Sequence, residues 1–91
     1  MASSQAAGKA VTWAKLRFSP ERASWVANER WHSQQKGELG TDGSYMLEIP
    51  YSDDRELLMD ILRHGSEVEV IAPIKLRERV MKELEKVMRF Y

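Results

Sequence analysis

The sequence predicts one α+β domain, and three observations carry that prediction. Residues 11–18, 44–51 and 68–72 alternate apolar and polar side chains with the period of two that a half-buried strand requires. Residues 20–30, 54–64 and 74–89 instead repeat apolar side chains at the three-to-four spacing of a helix packed on one side. Proline, glycine and capping residues fall between these segments, where the chain must turn. The length of 91 residues allows one domain with one modest core. A composition of 43% hydrophobic and 31% charged residues is a globular balance rather than a disordered one.

Each element has its own signal. In residues 11–18, Thr12, Ala14, Leu16 and Phe18 share one face of a strand, and Val11, Trp13, Lys15 and Arg17 share the other. Ser19-Pro20 reads as an N-cap followed by proline at the first helical position. The helix it opens covers about residues 20–30, with Ala23, Val26 and Ala27 as its stripe and Trp25 beside them. Residues 31–39 read as a weak, polar second strand at an edge. Gly40-Thr41-Asp42-Gly43 supplies a hairpin turn, with Asp-Gly as the strongest turn signal in the chain. The return strand, residues 44–51, sets Tyr45, Leu47 and Ile49 against Met46 and Glu48.

Asp53 and Glu56 have capping-box spacing, with Asp in place of Ser or Thr. Leu57, Leu58, Ile61 and Leu62 form the stripe that follows, and Gly65 stops this helix where a positive φ is wanted. In residues 68–72, Val68 and Val70 point opposite to Glu69 and Ile71. Pro73 opens a last helix to about Arg89, whose stripe of Leu76, Val80, Leu84 and Val87 is widened by Met81 and Met88. The order is β-α-β-β-α-β-α. Its first six elements are those of a ferredoxin-like βαββαβ domain, a four-stranded antiparallel sheet with two helices on one face. The additional C-terminal helix must pack on a sheet end, the free sheet face or a partner.

Charge and composition narrow the function. Fourteen basic and fourteen acidic residues give a formal net charge of zero, which argues against a general grip on duplex nucleic acid. With no cysteine, disulfides, thiolate zinc sites and cysteine nucleophiles are excluded, which fits a cytoplasmic setting. No apolar run reaches the roughly 18–20 residues of a membrane span. Residues 1–10 lack the apolar centre of a secretory signal and read as a disordered lead or an added remnant, leaving one domain over residues 11–91.

Three groups of residues are candidate contacts. Trp13, Lys15 and Arg17 face outward if Leu16 and Phe18 face the helices, and His32, Gln34 and Lys36 align beside them on a neighbouring strand. An aromatic among cations on an open sheet is how RNA-recognition sheets hold unstacked bases. The competing reading is a solvated or helix-covered face on which Glu48 and Glu69 offset the charge. In Arg30-Trp31-His32, Trp31 is expected to close the core, with Arg30 and His32 as anion contacts. Lys75, Arg77 and Arg79 oppose the dipole of the last helix. Either a phosphate at that helix start compensates them, or the pairs Arg79–Glu83 and Glu78–Lys82 absorb them.

Chemistry is not indicated. His32 and His64 are the only histidines, and neither has a partner at metal-ligand spacing, so no metal or cofactor is expected. Asp53, Asp54 and Glu56 form a carboxylate set, but the cap accounts for Asp53 and Glu56. No G-x-S-x-G, P-loop, Gly-rich dinucleotide turn or H-E-x-x-H is present, and the chain reads as a non-enzyme.

Several segments also resemble a known family. They are Leu16-Arg17-Phe18-Ser19-Pro20-Glu21, Val26, Glu29-Arg30-Trp31-His32, Asp42-Gly43, the helix Glu56-Leu57-Leu58-Met59-Asp60-Ile61-Leu62 with Gly65, and the run from Val68 to Glu78. In this order and spacing they resemble the C-terminal extension (WCX) domain of WYL-domain bacterial transcription regulators, over residues 11–91. The pattern V-x-V-I-x-P-x-x-L-R after a glycine-ended helix looks like the end of that domain. The resemblance implies an aromatic before the glycine, where this chain has Arg63-His64. Such regulators place a winged helix-turn-helix and a WYL domain first. Neither is among these residues, so the chain looks like an excised or stand-alone extension domain.

The resemblance implies a ligand-sensing or dimerisation module without its DNA-binding domain. Its partners would be a second copy or the WYL domain of the same regulator. Its effector would be a nucleotide or single-stranded nucleic acid, and no membrane is involved. The alternative is a stand-alone ferredoxin-like sensor that binds a small molecule.

Overall fold

The strand with the cleanest alternation, β1 (Thr12–Phe18), runs through the middle of the sheet in the computed structural model, which describes residues 11–91. The lead expected at residues 1–10 lies outside the described residues. After β1 come α1 (Pro20–Ala27), β2 (Lys36–Leu39), β3 (Tyr45–Tyr51), α2 (Asp54–His64), a 3₁₀ turn (Gly65–Glu67), β4 (Val68–Ala72) and α3 (Ile74–Met88). The four strands are antiparallel in the order β2-β3-β1-β4. This is the expected α+β class, with a helix added after the last strand.

One sheet face carries the core. Ala14, Leu16 and Phe18 of β1 have no exposure at all, and they meet Leu47 and Ile49 of β3 and Val70 of β4. All three helices close over that face, through Val26 of α1, Leu57 and Ile61 of α2, and Leu76 of α3. Thr12 has the same parity but is exposed at the strand's start. Ser19 ties the layers together. Its hydroxyl accepts from the Arg22 amide and donates to Glu67, and its own amide donates to the Glu67 carbonyl at 2.9 Å. The cap that starts α1 is thus bonded to the turn that starts β4.

Two elements are shorter than the sequence predicts. Helix α1 stops at Ala27, because the Asn28 amide donates to Trp25 at 3.3 Å and its side chain takes the Ser24 carbonyl at 3.0 Å. The second strand begins at Lys36 rather than at residue 31. Gln35 is the reason. Its side-chain oxygen accepts from the amides of Trp31 (2.5 Å) and His32 (2.9 Å), and its nitrogen donates to the Glu29 carbonyl at 3.0 Å. Main-chain groups satisfied within the loop have no need of a neighbouring strand.

The loop is held from inside by rings. Trp31 stacks on His64 (centroids 5.6 Å apart, planes 17° apart), and Phe18 meets both edge-on. Arg22 approaches His64 Nδ1 at 2.9 Å. A guanidinium can only donate, so Nδ1 accepts and the ring is neutral with its proton on Nε2. Where the family resemblance implies an aromatic before the glycine, His64 supplies a buried ring. Gly65 follows at φ 58°, the positive φ that a side chain would resist.

Both sheet edges are protected. β2 is four residues long and carries Lys36 and Glu38, features that discourage strand addition. Tyr45 lies across Gly37 so closely that a Cβ there would fall 1.6 Å from its hydroxyl oxygen. At the other edge, Arg77 of α3 donates to the Val70 carbonyl oxygen.

Leu16→Ala is expected to lower the unfolding free energy by about 2–5 kcal/mol, measured by urea denaturation, because it empties the centre of the core. A loss below about 1 kcal/mol would mean β1 faces the other way. His64 gives a pH test. Burial foremost, then the Arg22 charge, hold its pKa below the ordinary histidine value; Arg63 adds to this, while Glu29 and Asp60 oppose it. The unfolded chain therefore takes up a proton that the folded chain refuses, and the ring's contribution is intact above about pH 6.5 and lost as pH falls through the folded value. Between pH 7 and 5 the wild type is expected to lose more stability than His64→Phe; equal slopes would refute this.

Candidate interaction surfaces

The sheet face opposite the core is uncovered by any helix among the described residues. Trp13 is 41% exposed on it, with Lys36 Nζ 4.9 Å from the ring centroid. Lys36 reaches Trp13 although its strand pairs with β3 rather than β1. Lys15 lies opposite Glu48 in the β1–β3 register, and their charged groups are 4.0 Å apart. Arg17 donates to Asp42 at 2.7 Å and lies 3.9 Å from Glu69. The Asp42 carboxylate also accepts from the Ser44 hydroxyl (2.6 Å) and amide (3.0 Å). Those two Ser44 contacts, and then Arg17, hold its pKa far below the usual carboxylate range. The hairpin turn therefore presents a permanent anion to Arg17.

Of the residues predicted to line this face, the structure brings together Trp13, Lys15, Arg17 and Lys36. His32 and Gln34 are not on it. They belong to the loop that Gln35 organises, where the Gln34 amide donates to His32 Nδ1 at 3.0 Å. Glu48 and Glu69 do share the face and pair with its cations. Single-stranded nucleic acid would have to compete with those carboxylates.

Arg30 and His32 sit near Trp31, away from the sheet face. Arg30 is exposed beside a shallow cleft with Glu29, Asp60 and Arg63, and His32 borders a second cleft with Tyr51, Glu56 and Asp60. Glu29, Glu56 and Asp60 would compete there with an anion for Arg30, Arg63 and His32. Trp31 is half-buried and joins the ring cluster, as the core reading expects. Its indole nitrogen donates to Glu29 at 3.0 Å.

At the start of α3, Lys75 is exposed, whereas Arg77 spans the Val70 carbonyl and Glu69 (4.0 Å). The helix-internal pairs Arg79–Glu83 and Glu78–Lys82 are not the ones formed. Arg79 turns to Asp54 of α2 at 3.4 Å, and Glu83 pairs with Lys86 at 3.8 Å. Acidic neighbours in space, Glu69 and Asp54, thus lie beside Arg77 and Arg79.

One surface named by the sequence is defined only by the structure. The stripe of α3 is buried at Leu76 and half-buried at Val80, but Leu84 and Val87 are 45% and 42% exposed and Met88 is 73% exposed. Between α2 and α3 runs an apolar groove lined by Ile61, Leu62, Val68, Val80, Met81 and Leu84. Periodicity finds such a stripe but does not say whether the chain's own core covers it.

Among the described residues no group of three or more metal-ligating side chains occurs, and no helix is long and apolar enough to cross a membrane. Fold and surfaces together define a small α+β domain with one covered and one open sheet face. The sequence matches the WCX domain family over residues 10–88, and the chain belongs to that family. No curated protein matches it.

The causes at Asp42 are testable by NMR titration of its carboxyl carbon. Ser44→Ala and Arg17→Ala are each expected to raise the Asp42 pKa. An unchanged pKa in Ser44→Ala would make the ion pair with Arg17, not the turn, the source of the charge.

Proposed function

We propose that this domain serves a WYL-type transcription regulator as an interface module that holds two copies together through α3, on a ferredoxin-like frame. The observation that carries the reading is the apolar stripe of α3 beyond the core. Met81, Leu84 and Met88 repeat at the three-and-four spacing of paired helices, flanked by Lys82, Glu85 and Lys86. A contiguous apolar strip rimmed by charges marks a protein contact more often than a bare surface. The contrast with the sheet supports the same choice: its cations meet carboxylates or an aromatic ring, whereas Leu84, Val87 and Met88 stay largely exposed.

A second reading, the sensing of a nucleotide or single-stranded effector, is favoured by Trp13 under Lys36 on the open face. Both roles are non-catalytic and suit the cytoplasmic setting of a transcription regulator.

Sedimentation equilibrium on the full 91-residue chain tests the first reading. A concentration-dependent dimer is expected, and Leu84→Glu should shift it to monomer without changing the far-UV circular dichroism. A wild-type chain that stays monomeric to several hundred micromolar sinks the proposal. Heat on titration with a short single-stranded oligonucleotide, abolished by Trp13→Ala, would favour the second reading instead.

A further inference from the structure

We infer that the groove between α2 and α3 is filled by Phe90 and Tyr91 of a second copy of this chain. The inference rests on the pairing of copies proposed above and goes further, naming the segment that crosses between them.

The groove is a receptor without an occupant of its own. Its walls are aliphatic, and its polar rim residues Glu69 and Arg77 already face each other, with Arg77 also on the Val70 carbonyl. It therefore offers apolar surface and little polar competition, which suits an aromatic side chain. Phe90 is 85% exposed and Tyr91 fully exposed, just past the end of α3. They are the most exposed of the large apolar side chains among the described residues.

Phe90 and Tyr91 do not reach the groove of their own chain. The Phe90 amide donates to Val87 at 3.0 Å and the Tyr91 amide to Met88 at 3.1 Å, so these two residues continue the helical path instead of folding back. Seven residues separate Tyr91 from Leu84, about 10 Å along a helix axis at 1.5 Å per residue. Antiparallel pairing of two α3 helices removes that separation, because it sets the end of each helix beside the first half of the other. The contact is then isologous: each copy gives an aromatic end and receives one, and the assembly closes at two.

Complete covering of the open surface of Met81, Leu84, Val87, Met88, Phe90 and Tyr91 would bury on the order of the roughly 800 Å² per partner of a standard interface. Without the last two aromatics, worth about 150–250 Å² each when buried, the stripe falls well short of it.

The chain contains no cysteine, so a crosslink can be placed cleanly. Met81→Cys protein mixed with Phe90→Cys protein should give a mixed disulfide dimer under mild oxidation. In sedimentation, Phe90→Ala with Tyr91→Ala should weaken the dimer at least tenfold while leaving the circular dichroism unchanged. A wild-type dimer that the double variant leaves intact, with no mixed disulfide, overturns the aromatic insertion and leaves the α3 pairing standing. A wild-type monomer overturns both.

Discussion

The fold depends on the alternation in β1. That strand lies between β3 and β4, so its inward side chains are surrounded on every side, and Ala14, Leu16 and Phe18 lose all contact with solvent. Fully burying a side chain the size of Leu or Phe contributes about 1.5–3 kcal/mol, so the two largest are a substantial part of a small domain's stability. The alternation also settles where the helices go. Because Val26, Ile61 and Leu76 join one cluster on the face of Leu16, all three helices share that face. The other face, with Trp13, Lys15 and Arg17, is left open as a consequence and not by separate design.

A second constraint holds the chain between α1 and β2, which has no ladder of its own. Phe18 ends β1, Trp31 follows α1, and His64 ends α2; their rings meet beside the core. Three elements far apart in sequence are thereby fixed at one point, and Arg22 adds a fourth by donating to the histidine. A neutral, stacked histidine does the packing work of an aromatic residue there, which is why replacing the ring implied by the family with Arg63-His64 leaves the fold intact.

The periodic features were the legible ones. Strands β1, β3 and β4, the helix starts at Ser19 and Asp53, and the stop at Gly65 follow from spacing and local chemistry, and all are present in the structure. What was not legible depends on side chains reaching across the sequence or bonding back to the main chain. Gln35 dissolves the first half of the expected second strand through three bonds that no periodicity encodes. Arg79 chooses Asp54 over Glu83 because α3 packs beside α2, a fact of tertiary structure. Among the candidate contacts, Trp13, Lys15 and Arg17 were found by parity along one strand. His32 was misplaced because its strand was not a strand.

Helix α3 shows how one amphipathic pattern divides into two roles. Its first half is bound to the domain at three points: Leu76 inside the core, Arg77 on the edge of β4, and Arg79 on Asp54. Beyond Val80 the same stripe continues, with Met81 and Leu84 still bordering α2 across the groove and Met88 largely exposed. Substitutions before Val80 therefore act on folding, since they remove core volume or expose the β4 edge. From Leu84 onward the side chains are exposed, Leu84 and Val87 by less than half and Met88 by 73%, so substitutions there remove little core volume. Under the proposed pairing of copies, a well-anchored helix presents this row of exposed apolar residues without the entropy cost of ordering a loose segment.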